Sequence, residues 1–100
     1  MSNHKNTRKV ERDDIVTRRI ADLMDSAYLA QTHLVKGEGK EAKRIIDEAT
    51  GAFVNALAPY VRKAHAVHKC ELGHLYVSID IEDDFGVYEA TLKAIAYGKE

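Results

Sequence analysis

Four potential metal ligands lie close together in the C-terminal half of the chain. They are His65, His68, Cys70 and His74. Imidazole and thiolate are donors that zinc commonly uses, and His65 and His68 have the i, i+3 spacing at which two side chains on one helix face can share an ion. The chain has a single cysteine and no second pair of ligands further along to complete a tetrahedral site. The cluster therefore supports a metal-binding protein only as an alternative, since histidines near a helix end are commonly solvated.

The sequence carries no recognisable catalytic motif. Ser26 and Ser78 lack a neighbouring histidine and acid in a nucleophile signature, and there is no glycine-rich cofactor turn. The segment 37–40, Gly-Glu-Gly-Lys, has the composition of a phosphate loop, but a predicted helix precedes it and Glu41 follows the lysine. We therefore predict a protein that is not an enzyme and that needs no cofactor.

Basic residues are concentrated towards the N-terminus. The candidates for contact with phosphates are Lys5, Arg8, Lys9, Arg12, Arg18 and Arg19. A basic run of this kind can follow a nucleic-acid backbone, which makes a nucleic-acid-binding regulatory protein a further alternative. Two observations weaken it: the formal net charge of the whole chain is only -1, and no aromatic residue interrupts the basic run.

The C-terminal part of the chain is acidic. An acidic run and a nearby aromatic residue form a surface suited to a basic protein partner: Tyr76, Asp80, Glu82, Asp83 and Asp84. Carboxylates that project together attract a basic surface, and an exposed tyrosine can anchor an interface. We predict that this surface binds another protein.

Two long helices are expected to hold the N-terminal half together. In two stretches the apolar residues advance by four and then by three, which keeps them on one helix face. The first stretch is Val16, Ile20, Leu23, Ala27, Ala30 and Leu34, and the second is Ala42, Ile46, Ala49, Phe53, Ala56 and Tyr60. Gly37 can end the first helix, and Pro59 is expected to kink a second helix that continues to about Leu72. The spacing predicts an antiparallel helical hairpin.

The hydrophobic period changes after Gly73. Leu75, Val77 and Ile79 alternate with polar residues, which predicts a strand over residues 74–82. Residues 87–97 fit both a helical stripe and an alternating strand, and their content of Ala, Leu, Glu and Lys favours a helix. The predicted fold is thus mainly α, in the α+β class: a helical hairpin, one strand and a C-terminal helix.

A single strand leaves its backbone amides and carbonyls unpaired. We therefore predict a homodimer in which residues 74–82 pair with the same strand of a second copy, unless residues 87–97 supply a second strand.

The composition suits one domain, residues 1–100, with residues 1–9 as a flexible basic arm. No apolar run approaches the roughly 20 residues that span a bilayer, and the single cysteine suits a reducing cytoplasm. The leading hypothesis is a small, non-catalytic cytoplasmic interaction protein of the regulator, inhibitor, immunity or accessory type.

Overall fold

The chain folds into two helices followed by three strands. The computed structural model describes the backbone of residues 4–96 and the side chains of residues 9–96. The elements are α1 (His4–Val35), α2 (Gly39–Leu57), β1 (Lys63–Glu71), β2 (His74–Asp83) and β3 (Gly86–Ala94). The strands form an antiparallel sheet in the order β1-β2-β3, and the two helices pack against each other and against one face of it.

A three-residue turn separates the helices. Gly37 has a φ of 80°, its amide donates to the carbonyl of Leu34, and the amide of Glu38 donates to the carbonyl of His33. These bonds satisfy carbonyls that the end of α1 would otherwise leave free, and the positive φ costs glycine little. The sequence correctly placed the end of the first helix at this glycine.

The core lies between the helix pair and the sheet. Every second residue of β2 points at the helices, and Leu75, Val77, Ile79 and Ile81 are all buried. Leu23, Ile46, Phe53 and Leu57 cover them from the helix side. The intervening residues of β2 face away from the helices, so the sheet has an inner face against α1 and α2 and an outer face towards solvent.

The predicted fold is wrong in two segments, and the first is residues 63–71. They were expected to continue the second helix beyond a kink at Pro59, but α2 ends at Leu57 and these residues form β1. The proline lies in a turn after the helix, where the lack of an amide hydrogen has no cost. In β1 the small residues Ala64 and Ala66 alternate with exposed Lys63 and His65, because one side of the strand lies under α2.

The second error is the C-terminal segment, which was expected to be a helix. Residues 86–94 are the strand β3, paired along its length with β2. The alternation of Ala90, Leu92 and Ala94 decides the outcome, because pairing with β2 places these residues on the inner face. Pairing and burial outweigh the helical propensity of the individual residues. The fold is α+β with a three-stranded sheet.

A dimer through residues 74–82 was expected because a single strand would leave its backbone unpaired, and the structure removes that reason. β2 is the central strand, with β1 bonded along one side and β3 along the other. Its backbone groups therefore have partners within the same chain, and it offers no edge to a second copy.

Residues 4–9, expected to belong to a flexible arm, lie within α1, and residues 1–3 lie outside the described part. Among the described residues, neither α1 nor α2 is long and apolar enough to cross a membrane.

Candidate protein interface

The outer face of the sheet gathers most of the charged residues of the C-terminal half. Antiparallel pairing arranges its side chains in rows across β1, β2 and β3. The rows are Lys63, Glu82 and Val87; His65, Asp80 and Glu89; Val67, Ser78 and Thr91; and Lys69, Tyr76 and Lys93. No described segment packs on this face, so its side chains are presented to solvent.

One end of the outer face is acidic. We define the acidic end as Asp80, Glu82 and Glu89, which project from neighbouring strands. Lys63 Nζ lies 3.8 Å from Asp80 Oδ2, whereas neither Glu82 nor Glu89 forms an ion pair with any described residue. Since only one lysine opposes three carboxylates here, this end keeps a negative charge.

The opposite end of the outer face is basic and aromatic. Tyr76 lies between Lys69 and Lys93, and Lys69 Nζ lies 5.9 Å from the centroid of the tyrosine ring. This distance allows a cation–π contact. Tyr76 is four residues from Asp80 on the same strand, which corresponds to about 13 Å. The tyrosine therefore shares the outer face with the acidic end but lies beside lysines.

A neutral row separates the two ends. Ser78 Oγ and Thr91 Oγ1 are 3.1 Å apart and are hydrogen-bonded across β2 and β3. A shallow hollow of about 400 Å³ runs over this row towards Asp80 and Glu89. It offers room for a side chain of a molecule resting on the sheet.

Two of the predicted partner-binding carboxylates are already engaged. The side chain of Asp83 is only 6% exposed; it accepts a hydrogen bond from Arg12 Nε and another from the backbone amide of Phe85. Asp84 pairs with Arg62 across the same end of the molecule. Asp83 thus fixes the β2–β3 turn against α1, and Asp80, Glu82 and Tyr76 are the predicted residues that remain on the outer face.

The contact with Asp83 also affects Arg12. Burial by itself would lower the pKa of this guanidinium, but hydrogen bonds from Arg12 to Asp83 and Asp13 outweigh burial and raise the pKa. Arg12 therefore stays charged, and its hydrogen bond to Asp83 holds α1 against the β2–β3 turn.

The basic residues predicted to contact nucleic acid are largely paired with acids of α1 itself. The pairs are Lys9–Asp13, Arg12–Asp13, Arg18–Asp14 and Arg19–Asp22. Hydrogen bonds from Lys9 and Arg12 lower the pKa of Asp13. The side chains of Lys5 and Arg8 lie outside the described residues. Local neutralisation of this kind weakens the attraction of α1 for phosphates.

The four residues of the predicted metal cluster are divided between the two faces of the sheet. His65 and His74 lie on the outer face, whereas His68 and Cys70 lie on the inner face. His68 Nε2 is 2.7 Å from Asp47 Oδ1, and Nδ1 of His74 is buried without a hydrogen-bond partner. Among the described residues, no three His, Cys, Asp or Glu side chains are grouped closely enough to hold a metal ion.

An apolar cavity of about 270 Å³ lies beside the exposed Cys70, where the helix turn meets the β1–β2 turn. Its walls are Ala30, Leu34, Gly39, Ala42, Lys43, Ile46, His68, Lys69, Cys70 and Leu75. At its rim, Asp47 accepts hydrogen bonds from Lys43 and His68, and these bonds lower the pKa of its carboxyl group. They join α2 to β1.

The sequence prediction did not single out Glu89 and Lys93 as interface residues, because it assigned residues 87–97 to a helix. In β3 they lie on the same outer face, four residues apart. The alternation of residues 88–94 was the signal that could have placed them there.

Comparison with protein-family models, with curated protein sequences and with solved structures finds no match to this chain.

Proposed function

We propose that this protein is a non-catalytic binding module that recognises a basic surface on another protein through the acidic end of its outer face. One observation carries the proposal. Glu82 and Glu89 carry carboxylates that have no cationic partner among the described residues, and they lie beside Asp80 on a sheet face that no described segment covers.

Electrostatics explains why a basic protein is the favoured partner. Exposed carboxylates close together repel one another, and an incoming lysine or arginine relieves that repulsion while gaining ion pairs. At the other end of the outer face, Lys69 and Lys93 flank Tyr76 and disfavour the same basic groups. The two ends therefore set the orientation of the partner as well as attracting it.

The experiment begins with a photo-crosslinking residue at position 82 in cells of the native host, with position 25 on the exposed side of α1 as the comparison site. The crosslinked protein is identified by mass spectrometry and then purified for titration calorimetry. Wild type is compared with Asp80→Asn/Glu82→Gln, and Asp25→Asn serves as the control because Asp25 is exposed and lies on α1 instead of on the sheet.

We expect the double variant to bind about five- to thirtyfold more weakly, because loss of two partly exposed charge contacts costs roughly 1–2 kcal/mol. Binding by wild type should weaken with added salt and that of the double variant less so. Equal affinity of the double variant and wild type, equal crosslinking from position 25, or capture of nucleic acid instead of protein at position 82 would each contradict the proposal.

A further inference from the structure

The outward edge of β3 is a strand edge without a partner among the described residues. Asp83 lies opposite Gly86 across a two-residue turn, and the residues that flank such a turn exchange backbone hydrogen bonds. Bonding then alternates along β3, so its even-numbered residues bond to β2. The amides and carbonyls of the odd-numbered residues point away from the sheet, at positions Val87, Glu89, Thr91 and Lys93.

The charges on this edge lack partners within the described part of the chain. Glu89 and Lys93 lie on the outer face of β3, about 13 Å apart, and neither forms an ion pair there. The opposite edge of the sheet differs: on β1, Lys63 pairs with Asp80, and Lys69 Nζ lies 3.5 Å from Glu71. The unmatched charges therefore single out the β3 edge.

A second copy of β3 supplies the missing charges. In antiparallel pairing about a two-fold axis at Thr91, Glu89 of each copy faces Lys93 of the other, so the ion pair forms twice. Val87 then faces Ile95, and these two side chains are 62% and 52% exposed in the single chain. The backbone groups of Glu89, Thr91 and Lys93 meet their counterparts in hydrogen-bonding positions. This one pairing therefore gives partners to the backbone groups of the strand edge, to the charges of Glu89 and Lys93, and to the exposed apolar side chains of Val87 and Ile95.

Neighbouring registers are poorer. Because side chains alternate between faces, the register can change only in steps that keep outer residues opposite outer residues. A step in one direction puts Glu89 opposite Thr91, and a step in the other puts it opposite Ile95. Both lose the two ion pairs.

The helices leave the β3 edge accessible. α2 rests on β1, and α1 lies across β2 and β3. When two sheets join at β3, the two α1 helices become neighbours, at a spacing of two strands or about 10 Å, which is within the usual range for packed helices.

The side of α1 that would meet the second copy has suitable residues. Arg19, Asp22 and Ser26 border a hollow facing α2, so the opposite flank of the helix carries Thr17, Met24 and Tyr28. Thr17 is exposed and the other two are half-buried in the single chain. A second α1 would therefore meet one small polar and two larger, partly apolar side chains.

From these observations we propose that two copies of the chain associate through β3 and form one continuous six-stranded sheet. The proposal goes beyond the partner-binding function: the dimer engages Glu89 of the acidic end, whereas Asp80 and Glu82 stay on the outer face of each copy. The dimer would present two acidic surfaces.

Charge exchange at the two paired positions tests the register. Glu89→Lys and Lys93→Glu each replace two attractions with two repulsions, so each should raise the dimer dissociation constant by at least about tenfold. The double variant E89K/K93E restores both ion pairs and should return the dissociation constant to near the wild-type value. Sedimentation velocity over a concentration series measures all four proteins, and circular dichroism checks their folding.

The matched control is the β1 edge, where Lys63→Glu and Glu71→Lys should leave the dissociation constant unchanged.

A disulfide crosslink between the two copies gives a second, covalent test, with the variant Thr91→Cys/Cys70→Ser. Facing residues at hydrogen-bonded positions have Cα atoms about 5.5 Å apart, within reach of a disulfide, so this variant should form a crosslinked dimer on mild oxidation. Wild type that remains monomeric at every concentration, or a dimer that either single charge reversal leaves unchanged, would overturn the proposal.

Discussion

At the scale of single residues, one buried side chain holds the β1–β2 turn against α1. Gln31 is 1% exposed; its Nε2 donates to the carbonyl of Gly73 at 2.8 Å, and its Oε1 accepts from the amide of Leu75 at 2.7 Å. The bond to Leu75 is buried and the bond to Gly73 is partly buried, so the loss of these two hydrogen bonds is costly. The glutamine occurs within a helical stretch of sequence, and nothing local indicates that its partners lie more than 40 residues away.

Replacement of Gln31 by methionine tests this role. Gln31→Met keeps the volume but leaves a backbone carbonyl and an amide unpaired, so it should lower the free energy of unfolding by about 2–4 kcal/mol. Urea unfolding followed by circular dichroism measures the change, with the exposed Lys40→Met as the control. Equal stability of Gln31→Met and wild type would show that other groups can satisfy Gly73 and Leu75.

Leu72 lies at the tip of the same turn in an unfavourable conformation. Its φ is 55°, and its side chain is 94% exposed, so the leucine gains no burial in return. Asparagine tolerates this backbone region and is favoured before glycine in a two-residue hairpin turn. Leu72→Asn should therefore raise the free energy of unfolding by about 0.5–1 kcal/mol.

Thermal unfolding detects this gain as a higher midpoint temperature. Leu72→Ala is the matched control, since alanine keeps a Cβ atom and should give little change. A destabilised Leu72→Asn variant would mean that the leucine makes a favourable contact that outweighs its conformation.

At the scale of elements, the period of the hydrophobic pattern was informative where one face is strongly apolar and ambiguous where it is not. The stripe through Leu23 and the alternation through Ile79 correctly indicated α1 and β2. β1 and β3 place alanines such as Ala64 and Ala90 on their inner faces, and alanine favours helices when no pairing partner is considered. These strands owe their state to pairing with β2 across two tight turns and to burial under the helices, neither of which the pattern within one strand reveals.

Asp47 joins two elements whose neighbourhood the sequence did not reveal. Its carboxylate accepts hydrogen bonds from Lys43 on α2 and His68 on β1, and both lower its pKa. Because the pKa is lower in the folded state, this group stabilises the fold above its unfolded pKa of about 4, and the contribution is lost as the pH falls through the folded pKa.

The pH dependence of unfolding measures that contribution. Asp47→Asn should be less stable than wild type near neutral pH, and the difference should shrink between about pH 5 and pH 3. Urea titrations over this range give the difference directly, with Asp25→Asn as the control. A difference that stays constant with pH would show that the charge of Asp47 does not contribute.

At the scale of the whole molecule, the helices cover the inner face of the sheet and leave its outer face and the β3 edge exposed. The sequence correctly indicated acidic residues on a polar strand face, and Asp80 and Glu82 lie there. It could not show that Asp83 turns inward to Arg12, or that Tyr76 lies among lysines, because both depend on which strands are neighbours. The sheet thus presents unmatched charges on an uncovered face and an unpaired edge, which makes it the side from which we expect the protein to meet other molecules.

Amide hydrogen exchange, resolved by residue with NMR at low and high protein concentration, tests most directly whether the protein meets a second copy through the exposed β3 edge. The amides of Glu89, Thr91 and Lys93 should exchange quickly in dilute protein and become protected as concentration rises, while the outward amides of Ala66 and His68 on β1 should stay unprotected at both concentrations. Fast exchange at all five positions regardless of concentration, or concentration-dependent protection of β1 instead of β3, would contradict the account.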